Sequence, residues 1–359
     1  MTEISIQGAE LFSISLLESY GVPRDHALII TEVVIDSELR GYDDHGLLFL
    51  DMNVQWGFTQ GNLNPTPNVK ILKDNPSTGL LDGDAGCGAV AEKFAMRMCI
   101  EKAKTTGIAA VGVNNSGNII APAIFALDAA KEGLIGCCSS NIQALMAPVG
   151  GTTRTLRTNL IAYAAPSHGG IPFLFDMSYS ATAAAKILLV ARQGSELEPG
   201  LLQDKWGNPT TDPNDLFEWS TDGTLGSSDG AVLPIGGAKR YGMALVVDML
   251  CGVLTGASFG MDLQVDTAKQ NKPGHFVRAI DIQQFMELDE FGTRMQRRSD
   301  GMKSGDTKDG VGEILLPGER GIKLKQESLS RGTLQLSNET WNVLDRLHDI
   351  SGVPLPEAS

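Results

Sequence analysis

The sequence predicts an α/β fold, with short apolar strands and amphipathic helices alternating around a largely buried sheet. Two observations lead there. From Val69 onward the chain passes repeatedly from strand-like to helix-like patterning, the signature of a layered α/β protein. At 359 residues, 42% apolar and 20% charged, it also has the length and composition of an ordinary globular protein with a sizeable core.

Taken in order, residues 7–20 form an amphipathic helix (Leu11, Phe12, Ile14, Leu16, Leu17) ended by Gly21 and Pro23. A second helix over 24–40 buries Ala27, Ile30, Val33, Val34 and Leu39, carries Asp25 in its first turn and stops at Gly41. Leu47 to Val54 is an apolar run that reads as a third helix or a dimer-facing surface. The turn-rich stretch from Gly61 to Pro67 marks the first boundary. Strands are expected over 69–72, 78–81, 108–113, 134–138, 161–164 and 172–175, and helices over 89–106, 121–132 and 181–192. Residues 204–230 are polar and read as an exposed excursion. An apolar helix follows over 243–254, then a charge-rich region over 264–310. A sharp turn at Pro317-Gly318-Glu319-Arg320 precedes a last helix over 338–350.

A net charge of −14 lacks the basic footprint of a nucleic-acid binder and disfavours an anionic membrane surface. No apolar run approaches the roughly 18 residues of a spanning helix, and the acidic start Met1-Thr2-Glu3 lacks a signal-peptide core. Five cysteines, an odd number without C-x-x-C spacing, read as reduced packing residues of a cytoplasmic protein. Neither a zinc site nor an iron–sulfur cluster is expected, so no metal is assigned.

The chemistry gathers on Ser37-Glu38-Leu39-Arg40-Gly41-Tyr42-Asp43-Asp44-His45-Gly46, which holds one of only five histidines just past a helix end. Asp43 or Asp44 would fix the tautomer of His45 and raise its pKa, which suits a general acid acting on a carbonyl or imine. The plainer reading is a helix-capping histidine on the Leu39 or Arg40 carbonyl. Asp176, at a strand-to-helix junction, reads either as an N-cap or as a carboxylate that orients His45.

The loop from Gly150 to Asn159, with Arg154 and Arg157, offers backbone N–H groups and guanidinium groups to phosphate or carboxylate oxygens, or is a solvated turn. Gly236, Gly237, Lys239 and Arg240 at a helix entrance suit a pyrophosphate, or make a tight turn. Two motifs mislead. Gly86-Cys87-Gly88-Ala89-Val90-Ala91 matches G-x-G-x-x-A, but the next strand ends in Asn114-Asn115-Ser116, where an acidic residue should hold the ribose. Gly256-Ala257-Ser258-Phe259-Gly260 matches G-x-S-x-G but trails a helix instead of leading one.

These stretches together resemble the malate/L-lactate dehydrogenase family of the sulfolactate dehydrogenase type, whose members include ureidoglycolate dehydrogenase, 2,3-diketo-L-gulonate reductase and Δ1-piperideine-2-carboxylate reductases. The match runs from Leu39-Arg40-Gly41 and His45-Gly46 through Ala147-Pro148, Gly150-Gly151, Thr158-Asn159 and Asp176-Met177. It continues through Pro209 to Pro213, Leu233 to Gly237 with Lys239, and Pro317-Gly318-Glu319. The resemblance implies a homodimeric, non-Rossmann α/β fold with a mixed sheet and a helical lobe made by both ends of the chain. Its implied segments are a helical 1–65 carrying His45, a dinucleotide-binding and catalytic 66–262, and a C-terminal 263–359 packing back on the helices. It implies NAD or NADP as cofactor and a small 2-oxo, 2-imino or 2-hydroxy acid as substrate. His45 would be the proton donor and Asp176 its partner. Thr158, Asn159, Asp176, Met177, Ser178, Lys239, Gly318 and Glu319 would line the cofactor cleft.

The sequence departs from its relatives at that implied site. D-S-H-G-x-x-R becomes Asp43-Asp44-His45-Gly46 followed by Phe49, and Asn118 stands where relatives carry a histidine. G-T-N-P becomes Arg157-Thr158-Asn159-Leu160, and K-G becomes Lys239-Arg240. Loss of a carboxylate-binding arginine should weaken binding of an ordinary 2-oxo acid about ten- to a hundredfold. Arg157 or Arg154, with His168 in place of the missing histidine, would compensate. The alternative is a scaffold turned to hydrolase, lyase or isomerase chemistry on Asp44, His45 and Asp176.

Overall fold

The computed structural model describes residues 2–142, 144–219, 225–263 and 272–357. They form two compact units that interleave along the chain: residues 1–138, 162–176 and 277–359 in the first, and 139–161 and 177–276 in the second. The three segments expected from the sequence were consecutive. Residues 277–359 complete the first unit alongside the N-terminal ones.

In the first unit, Thr2–Ser5 pairs antiparallel with Thr333–Leu336, joining the two chain ends. Helix Ile6–Ser19 is capped by Ser5, whose hydroxyl accepts the Gly8 N–H at 2.9 Å. Helix Arg24–Leu39 ends in a Schellman turn. Gly41 takes the left-handed conformation (φ +70°), its N–H donates to Glu38 C=O at 3.0 Å, and Tyr42 N–H reaches Ser37 C=O at 3.0 Å. The run after His45 is helical, as Phe49–Asp51 continuing into the wider-wound Met52–Thr59.

The main sheet has seven strands in the order Lys70–Asp74, Thr78–Asp82, Ile108–Asn114, His275–Asp281, Leu134–Ser140, Leu160–Ala165 and Phe173–Ser178. It is mixed: the first pair is antiparallel and the second parallel. The strand at its centre, His275–Asp281, is absent from the sequence reading because it lies in the stretch taken as charge-rich. The early part of that stretch, 264–271, falls outside the described residues. Its burial alternates strictly, with His275, Val277, Ala279 and Asp281 buried and Phe276, Arg278 and Ile280 only partly so. Helices Gly88–Thr106 and Pro122–Lys131 bury Ala91, Ala95, Met96, Cys99, Phe125 and Leu127 in the first unit's apolar core. Helices Leu288–Lys303 and Glu319–Arg331 also went unread. The Pro317–Arg320 turn is the entrance to the second of these, with Gly318 at φ +89° as its N-cap.

The Gly-rich Gly86–Gly88 segment is a packing device. Gly117 N–H donates to Gly86 C=O at 2.8 Å, Gly88 N–H donates to Asn118 C=O at 3.0 Å, and a Cβ on Gly88 would lie 2.3 Å from Gly117 O. The glycines admit a crossing backbone, and one N–H that a pyrophosphate would need is already occupied.

The second unit holds a five-stranded sheet ordered Pro209–Thr210, Leu202–Gln203, Ala231–Val232, Ala144–Met146 and Leu156–Arg157. Helix Ala238–Asp248 runs on as Met249–Val253. The expected helix 181–192 starts later, at Ala184, and part of the 204–230 excursion is pinned to this sheet. Residues 220–224 of that excursion lie outside the described residues.

Candidate active site

His45 is fixed by three successive features of the first unit. The Schellman turn redirects the chain after helix Arg24–Leu39, and the His45 N–H then donates to Tyr42 C=O at 2.8 Å. Below the turn, the buried carboxylate of Glu38 accepts the Leu47 N–H at 2.8 Å. A Cβ at position 46 would lie 2.0 Å from that same Glu38 oxygen, so Gly46 is there because the carboxylate is. Glu38 is pushed up to about 7 by burial, which outweighs the pull of the Leu47 N–H, and the Asp43 charge adds to the rise.

The ring of His45 is 31% exposed and meets Asp44 Oδ1 through Nδ1 at 2.8 Å. Phe49, where relatives carry arginine, stacks on it with centroids 6.3 Å apart and planes 15° from parallel. Burial opposes a charge on the imidazole. The Asp44 hydrogen bond and the charges of Asp44 and Asp176 outweigh it, and the pKa of His45 rises. Asp44 shows the reciprocal effect: burial raises its carboxyl, but His45 holds it below the ordinary value.

Asp176 acts on His45 through charge. Its carboxylate accepts the Ala123 N–H at 3.2 Å, in the first turn of Pro122–Lys131, and no hydrogen bond to His45 is present among the described residues. It thus caps neither the helix that follows it in sequence nor the imidazole; Asp44 holds the ring. Burial pushes Asp176 up to about 6, against the lowering effects of His45 and the Ala123 amide.

Asn118 accepts the Ile120 N–H on Oδ1 at 2.8 Å, which shapes its own turn. His168 lies elsewhere on the first unit. Its Nε2 faces Asp289 Oδ1 at 2.9 Å and the Asp289 carbonyl at 2.8 Å, at the start of helix Leu288–Lys303. Gly318 abuts Leu174, whose Cβ would lie 2.7 Å from a Cβ there. Glu319 is buried and committed to Leu316 N–H at 2.9 Å and Lys303 Nζ at 2.5 Å.

Two residues of this site went unassigned although both stand in the His45 stretch. Glu38 stands in that stretch without a role assigned to it. Tyr42, half-buried, has its ionisation raised first by burial and next by the charge of Asp176, and its hydroxyl would lie 3.6 Å from a Cβ on Gly321.

In the second unit, Thr158 C=O accepts the Tyr179 N–H at 2.8 Å, and Asn159 (φ +41°) donates from Nδ2 to Ala244 C=O at 2.7 Å. Thr158 Oγ1 and Asn159 Oδ1 are buried without hydrogen-bond partners among the described residues. Ser178 Oγ bonds Ser180 Oγ at 2.8 Å, next to the half-buried Met177. Gly236 and Gly237, both at positive φ, lead to an N-terminus without a side-chain cap, and a Cβ on Gly237 would meet nothing within 4 Å. Lys239 stands exposed in that first turn. An open helix entrance, a free cation and an orphaned hydroxyl fit a dinucleotide's phosphates and sugar. Arg154 is spent on loop carbonyls at Gly230, Ser228 and Leu216. No group of three or more potential metal ligands occurs among the described residues.

The family model described as malate/L-lactate dehydrogenase matches residues 4–345. Malate dehydrogenase of Pyrococcus abyssi is 35% identical over 350 residues, covering 97% of this chain and 94% of the relative. The structure of sulfolactate dehydrogenase from Methanocaldococcus jannaschii superposes with a TM-score of 0.86 at 30% identity, over 98% of each chain. That of malate dehydrogenase from Entamoeba histolytica gives 0.92 at 28%, over 99% of this chain and all of the other. The non-redox alternative finds no support among them. The chain therefore belongs to the malate/L-lactate dehydrogenase family, and it is an enzyme of the dehydrogenase or reductase kind.

Proposed function

We propose that this enzyme interconverts a 2-hydroxy acid with its 2-oxo acid, or reduces a cyclic 2-imino acid, with His45 carrying the proton. The observation behind this is the Asp44–His45 pair: a part-exposed imidazole held through Nδ1 at 2.8 Å, with its pKa raised, leaves Nε2 as the proton-bearing atom for substrate. A nicotinamide dinucleotide supplies or accepts the hydride. Lys239 and the helix entrance behind Gly236 and Gly237 would take its pyrophosphate, and Thr158, Asn159, Met177 and Ser178 would line it. The resemblance also assigns Asp176, Gly318 and Glu319 to cofactor binding.

In reduction, protonated His45 donates to the substrate oxygen or nitrogen as it gains electron density, and Asp44 stabilises the imidazolium until it does. Asp176 keeps a second negative charge nearby, favouring the loaded proton donor. Phe49 presents an apolar ring where a guanidinium would grip a carboxylate, so this pocket favours an apolar or weakly anionic group on that side.

The test is an NADH and NADPH titration followed by turnover with a panel of 2-oxo and cyclic 2-imino acids. We expect binding of at least one dinucleotide and turnover that His45→Ala lowers about a hundred- to ten-thousandfold. Binding of neither at millimolar concentration would overturn the reading.

The same reading includes a homodimer. An exposed stripe of Met243, Val246, Met249 and Val253 along one helix supports it, and sedimentation velocity tests it. A cytoplasmic setting is supported by five buried cysteines, none of them in a disulfide among the described residues. No helix among the described residues is long and apolar enough to cross a membrane.

A further inference from the structure

We infer that Arg157 is an oxyanion receptor that holds either the carboxylate of the 2-oxo acid or a phosphate of the dinucleotide. The inference rests on the function proposed above and names the group within the second unit that grips the anion.

Arg157 ends the short strand Leu156–Arg157, opposite Ala144 of Ala144–Met146. Its side chain is only 4% exposed, yet its Nε has no hydrogen-bond partner. The next two residues repeat the pattern, with Thr158 Oγ1 and Asn159 Oδ1 also buried and unpartnered. Three consecutive residues with orphaned polar atoms are unusual in a folded interior, where nearly every such atom is satisfied. A buried guanidinium N–H left without an acceptor destabilises the free protein, which points to an acceptor that arrives with substrate or cofactor.

The obvious internal partner is engaged elsewhere. Asp248, the counter-charge in range of Arg157, ends helix Ala238–Asp248 and accepts from Asn141 Nδ2 at 3.2 Å and Gly260 N–H at 3.3 Å. Burial raises the Asp248 carboxyl against the lowering effects of Asn141, the Gly260 amide and the Arg157 charge, and no hydrogen bond joins it to Arg157 among the described residues. Arg154, three residues earlier, shows what a structural arginine looks like in this loop, with Nε and Nη2 both bonded to carbonyls. A guanidinium presents parallel donors that match a carboxylate or phosphate.

The test compares wild type, Arg157→Met and Arg157→Lys as full chains, reading dinucleotide Kd by fluorescence, KM for pyruvate and oxaloacetate, and melting temperature with and without inorganic phosphate or pyruvate. We expect Arg157→Met to melt no lower than wild type. It should raise either the 2-oxo acid KM or the dinucleotide Kd about ten- to a hundredfold, with partial recovery in Arg157→Lys. A rise confined to KM identifies a carboxylate, and a rise in Kd identifies a phosphate. Both constants within twofold of wild type, or a melting temperature lowered by several degrees with both constants intact, would overturn the proposal and leave Arg157 as the structural mate of Asp248. Should Arg157→Met not fold, the melting shift caused by phosphate or pyruvate decides: shifts of equal size in wild type and Arg157→Lys overturn it, and a loss in Arg157→Lys upholds it. If wild type binds neither dinucleotide, the functional reading fails, while the anion-dependent melting shift still judges Arg157.

Discussion

At the scale of single residues, His45 depends on Asp44 for both tautomer and charge. Asp44→Asn keeps a hydrogen-bonding group at Nδ1 but removes the anion, so the His45 pKa should fall and the pH at which reduction is lost should move down with it. A pH–rate profile of kcat/KM checks this, and an unmoved profile would detach Asp44 from the proton chemistry. A second residue-scale expectation concerns Glu92, fully buried and accepting the Cys138 thiol at 2.8 Å, with its carboxyl pushed up to about 8 by burial. Between pH about 4.5, where the unfolded side chain ionises, and about 8, the folded protein holds a proton that the unfolded chain has lost. Stability therefore falls as pH rises through that window, and Glu38 and Asp176, also raised, add to the same slope. Glu92→Gln should flatten the decline in melting temperature between pH 5 and 9, and a decline as steep as wild type's would count against it. Asp44 and His45 could be named from the sequence because they are neighbours in it. Asp176's contact with Ala123 could not, because it crosses 53 residues and is made by strand order.

At the scale of elements, the turn after helix Arg24–Leu39 is what aims the imidazole. Gly41→Ala forces a Cβ into left-handed backbone and to within 2.9 Å of Leu324, and should cost about 1–2 kcal/mol from the conformation alone. Urea denaturation measures it, and a loss below about 0.3 kcal/mol would show that the turn relaxes freely. Helices with a clear apolar stripe and a glycine stop, such as Arg24–Leu39 and Gly88–Thr106, were legible to within a residue or two. Leu288–Lys303 and Glu319–Arg331 were not, since each buries almost nothing on its own length and reads as charge. The central strand His275–Asp281 was hidden in the same way: alternation with Arg278 and Asp281 in it looks polar unless its neighbours are known.

At the scale of the molecule, the α/β class and the family resemblance were readable because they are carried by composition, periodicity and ordered motifs. How the chain divides was not. The second unit is inserted twice into the first, and no single stretch of sequence records that. The same scale explains the misleading G-x-G-x-x-A, whose glycines serve a backbone crossing with Gly117 and Asn118 that only the folded chain reveals. The functional account makes one demand here: protons and hydride must be separable. The most direct measurement is the pH dependence of both reaction directions in wild type, beside dinucleotide binding by His45→Gln. Reduction should fall and oxidation should rise as pH passes the raised His45 pKa, while His45→Gln binds the dinucleotide normally but loses both limbs along with turnover. Parallel pH profiles in the two directions, or full turnover by His45→Gln, would contradict it.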